Sequence, residues 1–178
     1  PDLQLHFVIT RLIDHARTLP WGHGYTCHLC PLRPASRGTL TLASADPMAP
    51  PLIDPNFFAD PGDMELMIHG FKRLRHILQQ PALAGLGGTE GPALAAAQTD
   101  AQIERYIRDH SDTEYHPVGS CRMGRGPLDV VDHELRVHGL QGLRVVDASV
   151  MPGIVSGNTN APTIMIGEKA ADLVKAAA

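Results

Sequence analysis

The sequence predicts an α+β fold, an antiparallel sheet with helices on one side, followed by a strand and helix of α/β character. Three observations carry this. Strand-like runs crowd the stretch from Leu3 to Ser44 with no helix between them, which favours antiparallel pairing. Two capped amphipathic helices follow. The last forty residues then read strand, loop, helix, one leg of a layered α/β arrangement.

In order, Leu3, Leu5, Phe7 and Ile9 alternate along the first run, the period-2 mark of a half-buried strand. A second extended run, YTCHLCPLRP, follows the WGHGY turn. A third, SRGTLTLAS, sets Leu40 and Leu42 on one face and Thr39 and Thr41 on the other. The Pro-rich ADPMAPPLIDPNFFADPG reads as connection ending in a helix start. There Asp60 caps, Pro61 takes the first position and Asp63 favours the positive end of the dipole. Met64, Met67, Ile68, Phe71, Leu74 and Leu78 make one apolar stripe ending near Pro81. LAGLGGTEGPALAAA reads as loop. Thr99 and Gln102 form a capping-box pattern opening a second helix to about His110. GLRVVD has the apolar density of a buried strand, SVMPGIVSGNTN is loop, and Pro162 can start a final helix. Ile166, Ala170, Leu173 and Ala177 would form its packing face.

Composition removes several functions. The chain has 178 residues, 43% of them hydrophobic, enough for a core, and no apolar run long enough for a membrane span. Net charge is −4 with 15 scattered Lys and Arg, so no basic footprint for nucleic acid exists. Aromatics at 4% are too few for base-stacking platforms. Three cysteines do not make a disulfide framework, so a reducing, cytoplasmic setting is expected. No signal peptide is visible, and a start without Met reads as an internal cut. No internal repeat stands out.

Three clusters carry candidate chemistry. Cys27-x-x-Cys30, with His23 and His28 nearby, has half the spacing of a zinc site, but no second CxxC follows. In a strand the two thiols also point to opposite faces, and ordinary buried thiols are the favoured reading over a metal or redox pair. The stretch YHPVGSCRMG holds His116 and Cys121. It can be read as half a metal site, a Cys/His nucleophile pair, a rigid turn, or a mount for a general base. Pro117 stiffens the backbone beside His116, which suits a base held in place, although nothing local says what proton it would take. SGNTNAPT puts Asn158, Thr159 and Asn160 just before a helix start. Free N–H groups there favour an anion or electron-rich atom, and plain capping by Thr159 or Asn160 is the structural alternative.

Taken together, SRGTLTLASADPMAPPLIDPNFFADPGDME, YHPVGSCRMG, GLRVVDASVMP and SGNTNAPTIMIGEKAADL resemble the C-terminal part of the glucose–methanol–choline (GMC) flavin oxidoreductases. They occur in the family's order from about Ser36 to Val174, and the pattern is most similar to choline dehydrogenase-like and related alcohol dehydrogenases. The resemblance implies FAD and oxidation of an alcohol to a carbonyl. It maps the family's catalytic histidine onto His116 and its partner, His or Asn in different members, onto Asn160. It brings Asp147, Ala148, Asn158 and Thr159 towards the flavin, and no residue is assigned as a metal ligand. Residues 1–138 become a substrate-binding domain, and 139–178 a strand–loop–helix returning to the FAD domain of the intact enzyme.

The family's GxGxxG fingerprint for the ADP half of FAD is not in these residues. The resemblance therefore implies that the N-terminal Rossmann half lies outside this chain. The chain alone is expected neither to hold FAD tightly nor to turn over, and the exposed strand edge of its return segment should favour self-association or disorder. Its expected partners are a small alcohol and the missing half. Two rival readings are a non-enzymatic partner-binding domain derived from the family and a metal module on Cys27 and Cys30. Trp21, Tyr25 and Tyr115 are candidate faces for a quaternary ammonium such as choline.

Overall fold

A computed structural model describes residues 1–13, 17–18 and 20–177. The α+β class holds, with small antiparallel sheets and five helices among the described residues. The chain divides into two compact units, residues 1–36 with 57–114 and residues 37–56 with 115–178.

In the first unit, β1 (Leu3–Val8) pairs antiparallel with β2 (Thr26–Pro31), with Leu5 opposite Leu29 and Phe7 opposite Cys27. Helix α1 (Pro61–Leu78) starts as its sequence dictates, with the Asp60 carboxylate accepting from Gly62 N at 2.8 Å. Its stripe packs Met64, Met67 and Phe71 against Ile103 and Ile107 of α4 (Asp100–His110) and against Leu3 and Leu29 of the hairpin. Gly70 leaves room for this contact, since a Cβ there would lie 2.8 Å from the Leu3 and 2.9 Å from the Leu29 side-chain ends, which would have to turn aside. The capping box on α4 forms as expected, Thr99 and Gln102 each bonding the other's backbone.

The stretch expected to be loop between these helices carries two short ones, α2 (Pro81–Ala84) and α3 (Pro92–Ala96). Proline at the first position of each presets φ for a turn of helix, and alanines let it close. Arg75 pins this stretch. Its guanidinium lies over the Phe71 ring, binds Glu90 through two bonds, and donates to the Leu94 and Ala97 carbonyls.

In the second unit, the third expected strand does not join the first two. As β3 (Thr39–Thr41) it pairs with β4 (Leu52–Asp54), which the sequence reading had as Pro-rich connection. Prolines flank rather than interrupt β4, so its ladder bonds survive. GLRVVD, expected as a strand, turns at Gly142, which has φ 72°, and among the described residues makes one isolated bridge, Arg144 to Arg136. Apolar density marks burial, whereas a strand also requires a pairing neighbour along its length.

The core of this unit is Val131, Leu135, Val150 and Ala170, with Val145, Ile166 and Leu173 packed on it. Helix α5 (Asn160–Lys175) thus buries the expected face apart from Ala177, which lies beyond its end and is exposed. It begins two residues before Pro162, at Asn160. No described helix is long and apolar enough to cross a membrane.

Candidate functional site

The cluster that gathers chemistry lies wholly within the second unit and is built from three segments. The first, 115–123, is held to the second, 147–151, by two backbone bonds, Cys121 N to Ser149 O at 3.0 Å and Met123 N to Val150 O at 2.8 Å. Val150, almost fully buried, anchors that seam in the core. Asp147 shapes the turn that follows it, accepting from Ser149 N at 2.8 Å and from the Ser149 hydroxyl. The third segment, 156–160, leads into α5.

Backbone strain marks both segments that face each other here. Tyr115, just before His116, has φ 62°, and Ser156, just before the Gly-Asn-Thr run, has φ 60°. Side chains in this left-handed region cost energy that the surrounding structure must offset, which is typical of positions whose geometry serves a site. Gly119, at φ 89°, lets the chain turn from His116 back to the Ser149 seam.

His116, half-buried, is held through both ring nitrogens. Its Nδ1 lies 2.9 Å from Thr159 Oγ1, and its Nε2 lies 2.8 Å from Asn158 Nδ2. Thr159 is buried at 6% exposure, while Asn158 and Asn160 are exposed. Simple capping of α5 by Thr159 is not what its side chain does. Thr159 occupies the N-cap position without a side-chain cap bond, because its hydroxyl is turned to the imidazole. Thr163 Oγ1 steadies this first turn by donating to Thr159 O at 2.7 Å. The first turn of α5 contains no acidic residue to offset the positive end of its dipole.

The structure therefore brings together His116, Asn158 and Thr159. Asn160 is the first residue inside α5, beside this group, and the ring's two hydrogen-bond partners are its neighbours. Asp147 is exposed and Ala148 half-buried at the turn stitched to the His116 segment. The role of Thr159 as a partner of the ring was missed in the sequence. Its only local signal was a hydroxyl at a cap position.

The rival clusters look different. His116 makes its ring bonds to Thr159 and Asn158, with none to Cys121, so no Cys/His nucleophile pair is formed. Burial pushes the Cys27 thiol up. Burial and the nearby Glu114 push Cys30 up, against a backbone hydrogen bond from Gln4. Both are thus poor thiolates. Cys30 Sγ sits 3.8 Å from His6 Nε2, whereas Cys27 Sγ faces the His28 carbonyl, the opposite-face placement expected of positions three apart. Among the described residues, no group of three or more His, Cys, Asp or Glu is placed to hold a metal ion. Of the candidate cation-binding aromatics, Tyr25 is stacked on Phe7 with ring centroids 5.1 Å apart, and Trp21 and Tyr115 are exposed.

Comparison with known proteins gives a consistent result. The family model described as GMC oxidoreductase, for its C-terminal domain, matches residues 34–167. The chain is 51% identical over 174 residues to an alcohol dehydrogenase [acceptor] of Pseudomonas putida, covering 98% of this chain and 32% of that protein. It is 42% identical over 175 residues to an oxygen-dependent choline dehydrogenase of Escherichia coli, again covering 98% of this chain and 32% of that protein. Among solved structures, pyridoxine 4-oxidase from Mesorbium loti superposes with a TM-score of 0.81 at 28% identity, covering 97% of this chain and 34% of that chain. Formate oxidase of Aspergillus oryzae RIB40 superposes with a TM-score of 0.82 at 32% identity, covering 99% of this chain and 32% of that chain. The chain spans about a third of the length of the curated relatives it matches.

Proposed function

The chain belongs to the GMC oxidoreductase family, and from that membership we propose that it is the C-terminal, substrate-handling part of an FAD-dependent enzyme oxidising an alcohol to a carbonyl. The observation that carries this reading is the imidazole of His116, gripped at Nδ1 by the buried Thr159 and presented at Nε2 beside an exposed amide. A base of this kind needs one nitrogen anchored and the other directed at its proton donor.

The residues present fit the reacting end of the cofactor. An α5 N-terminus without an acidic residue, the Asn158 amide and the exposed Asp147–Ala148 turn offer donors and a positive dipole end. We assign Asp147, Ala148, Asn158 and Thr159 to that contact. Bound FAD would supply the acceptor for the hydride equivalent leaving the alcohol carbon. His116 Nε2 takes the hydroxyl proton, for which a substrate oxygen must replace Asn158 beside the ring. Asn160 donates a hydrogen bond to the same oxygen and holds it in place. Removing the proton as the carbon–hydrogen bond weakens lets charge collapse into the forming carbonyl.

Residues 139–178 return, in this proposal, to the FAD-binding part. Leu143, Ile164 and Met165, each about half exposed or more, support an apolar cover there. By itself the 178-residue chain then holds FAD weakly, self-associates and does not turn over. A reducing, cytoplasmic setting belongs to the same proposal and suits three free thiols.

The test is to express the intact protein, quantify bound flavin, and assay a panel of alcohols, choline included, with an artificial electron acceptor. Flavin bound at one per chain with alcohol-dependent dye reduction supports the reading. Stoichiometric flavin on the 178-residue chain alone contradicts the division of the cofactor site. An intact protein with no alcohol-dependent reduction contradicts the activity.

A further inference from the structure

We propose that Thr159 is a positioning residue whose hydroxyl keeps the proton of the neutral His116 ring on Nδ1, so that Nε2 is the nitrogen able to take a proton. The functional weight of this inference rests on His116 being the base, as proposed above, whereas its geometric content does not.

The argument is an accounting of donors around one ring. At Nε2 the contact is the Asn158 amide nitrogen, 2.8 Å away, which can only donate. Nε2 therefore accepts, and in a neutral imidazole the proton lies on Nδ1. Two groups of Thr159 face Nδ1. Its Oγ1, at 2.9 Å, can accept that proton, whereas its backbone N–H, at 3.5 Å, is a donor aimed at the same nitrogen and opposes a proton there. The hydroxyl is thus the sole acceptor at Nδ1 among the described residues. Without it, Nδ1 faces only a donor, and the ring is driven to accept there and carry its proton on Nε2. A turn of the Asn158 amide to present its oxygen would satisfy that alternative in full. Such a ring has no lone pair left at Nε2 for a substrate proton.

Two further features hold this hydroxyl at the ring. Thr159 stands at the N-cap of α5, where a threonine hydroxyl ordinarily accepts a helix N–H, yet it makes no cap bond. It is also buried at 6% exposure, with its carbonyl fixed by the Thr163 hydroxyl and by Thr163 N at 3.0 Å, so its side chain has little room to turn away. Even after Nε2 takes a proton, the hydroxyl can still accept from Nδ1–H. The backbone N–H cannot.

The test reads the tautomer directly, by long-range proton–nitrogen correlation NMR on the intact protein labelled with 15N-histidine. The His116 signals are identified by their loss in His116→Gln. The wild type should show a pyridine-type Nε2 and a pyrrole-type Nδ1. Thr159→Val, which keeps the shape and removes the hydroxyl, should exchange the two, and Thr159→Ala gives the same readout should the valine variant fail to fold. Thr159→Ser should restore the wild-type pattern. In turnover, the valine variant should lose roughly 10²-fold in kcat with little change in KM, a fraction of what a positioned base supplies.

A pyridine-type Nε2 persisting in the valine and alanine variants would overturn the proposal. So would a serine variant indistinguishable from valine. Because the tautomer is read without turnover, a His116 variant that still oxidises alcohols would remove the base assignment and leave this result standing.

Discussion

Asp63 offers the sharpest test of how the first unit is held together. It is a carboxylate at 6% exposure in the first turn of α1. Its Oδ1 accepts from Ala35 N at 2.8 Å, and its Oδ2 accepts from Ser36 N at 2.8 Å and from Ser36 Oγ at 2.5 Å. Asp63→Asn preserves the shape and replaces one oxygen by a donor. Whichever way the amide turns, one backbone N–H, of Ala35 or of Ser36, then faces another N–H. If the amide nitrogen faces Ser36, the serine hydroxyl also loses its acceptor, though it still accepts from Asp60 N at 3.0 Å. A hydrogen bond to a charged group contributes about 1.5–3 kcal/mol, and a donor set facing another donor costs about 1–3 kcal/mol when buried; Ala35 is exposed and Ser36 half-buried, so the lower ends apply. Loss of the acidic charge near the α1 N-terminus removes a further few tenths. The sum is about 3 kcal/mol. With a urea slope of roughly 2 kcal/mol/M, the unfolding midpoint should fall by about 1.5 M. Far-UV circular dichroism is the suitable probe, since the single Trp21 is 98% exposed and reports little on packing. A midpoint shift below about 0.5 M would refute the claim that these three bonds fasten the chain to α1.

Other outcomes follow from single contacts. Gly38→Ala would put a Cβ 2.2 Å from the Asp54 carbonyl oxygen, so the β3–β4 ladder should open, seen as loss of amide protection at Thr39 and Thr41. At Asp132 desolvation pushes the carboxyl up. The backbone and side-chain bonds from Arg136, with Glu134 N–H, outweigh it and hold the group at about 2, below its ordinary 3.8. A carboxyl depressed in the folded state adds stability above its unfolded value and loses it as pH falls through the folded one. Acid titration should therefore lose that increment between about pH 4 and pH 2, and Asp132→Asn should flatten this part of the curve. Cys121→Ser should leave alcohol-dependent flavin reduction in the intact protein within about threefold, because no ring nitrogen of His116 is bonded to Cys121.

What could be read in advance divides along the range of the interactions. The α1 start at Asp60–Pro61 and the α4 capping box were legible because cap, proline and stripe lie within one turn of each other. The β1–β2 hairpin was legible from alternation. However, Leu5 and Phe7 remain 42% and 49% exposed, because α1 covers the sheet only near Leu3 and Leu29. The pairing of β3 with Leu52–Asp54 was hidden by flanking prolines, and GLRVVD packs Val145 on the core but makes one isolated bridge where its apolar residues implied a strand. At the site, His116 and the SGNTN loop stood out separately by composition. Their contact spans 43 positions, and no local pattern could assign the Nδ1 bond to Thr159 rather than to a helix cap.

The central claim is that His116 takes the substrate proton. The direct measurement is the anaerobic rate of flavin reduction by alcohol in His116→Ala of the intact protein, at matched flavin content. The account predicts a rate lower by roughly 10²–10⁴-fold, the scale of a positioned acid–base group. A variant that binds flavin normally and reduces it at the wild-type rate would contradict it.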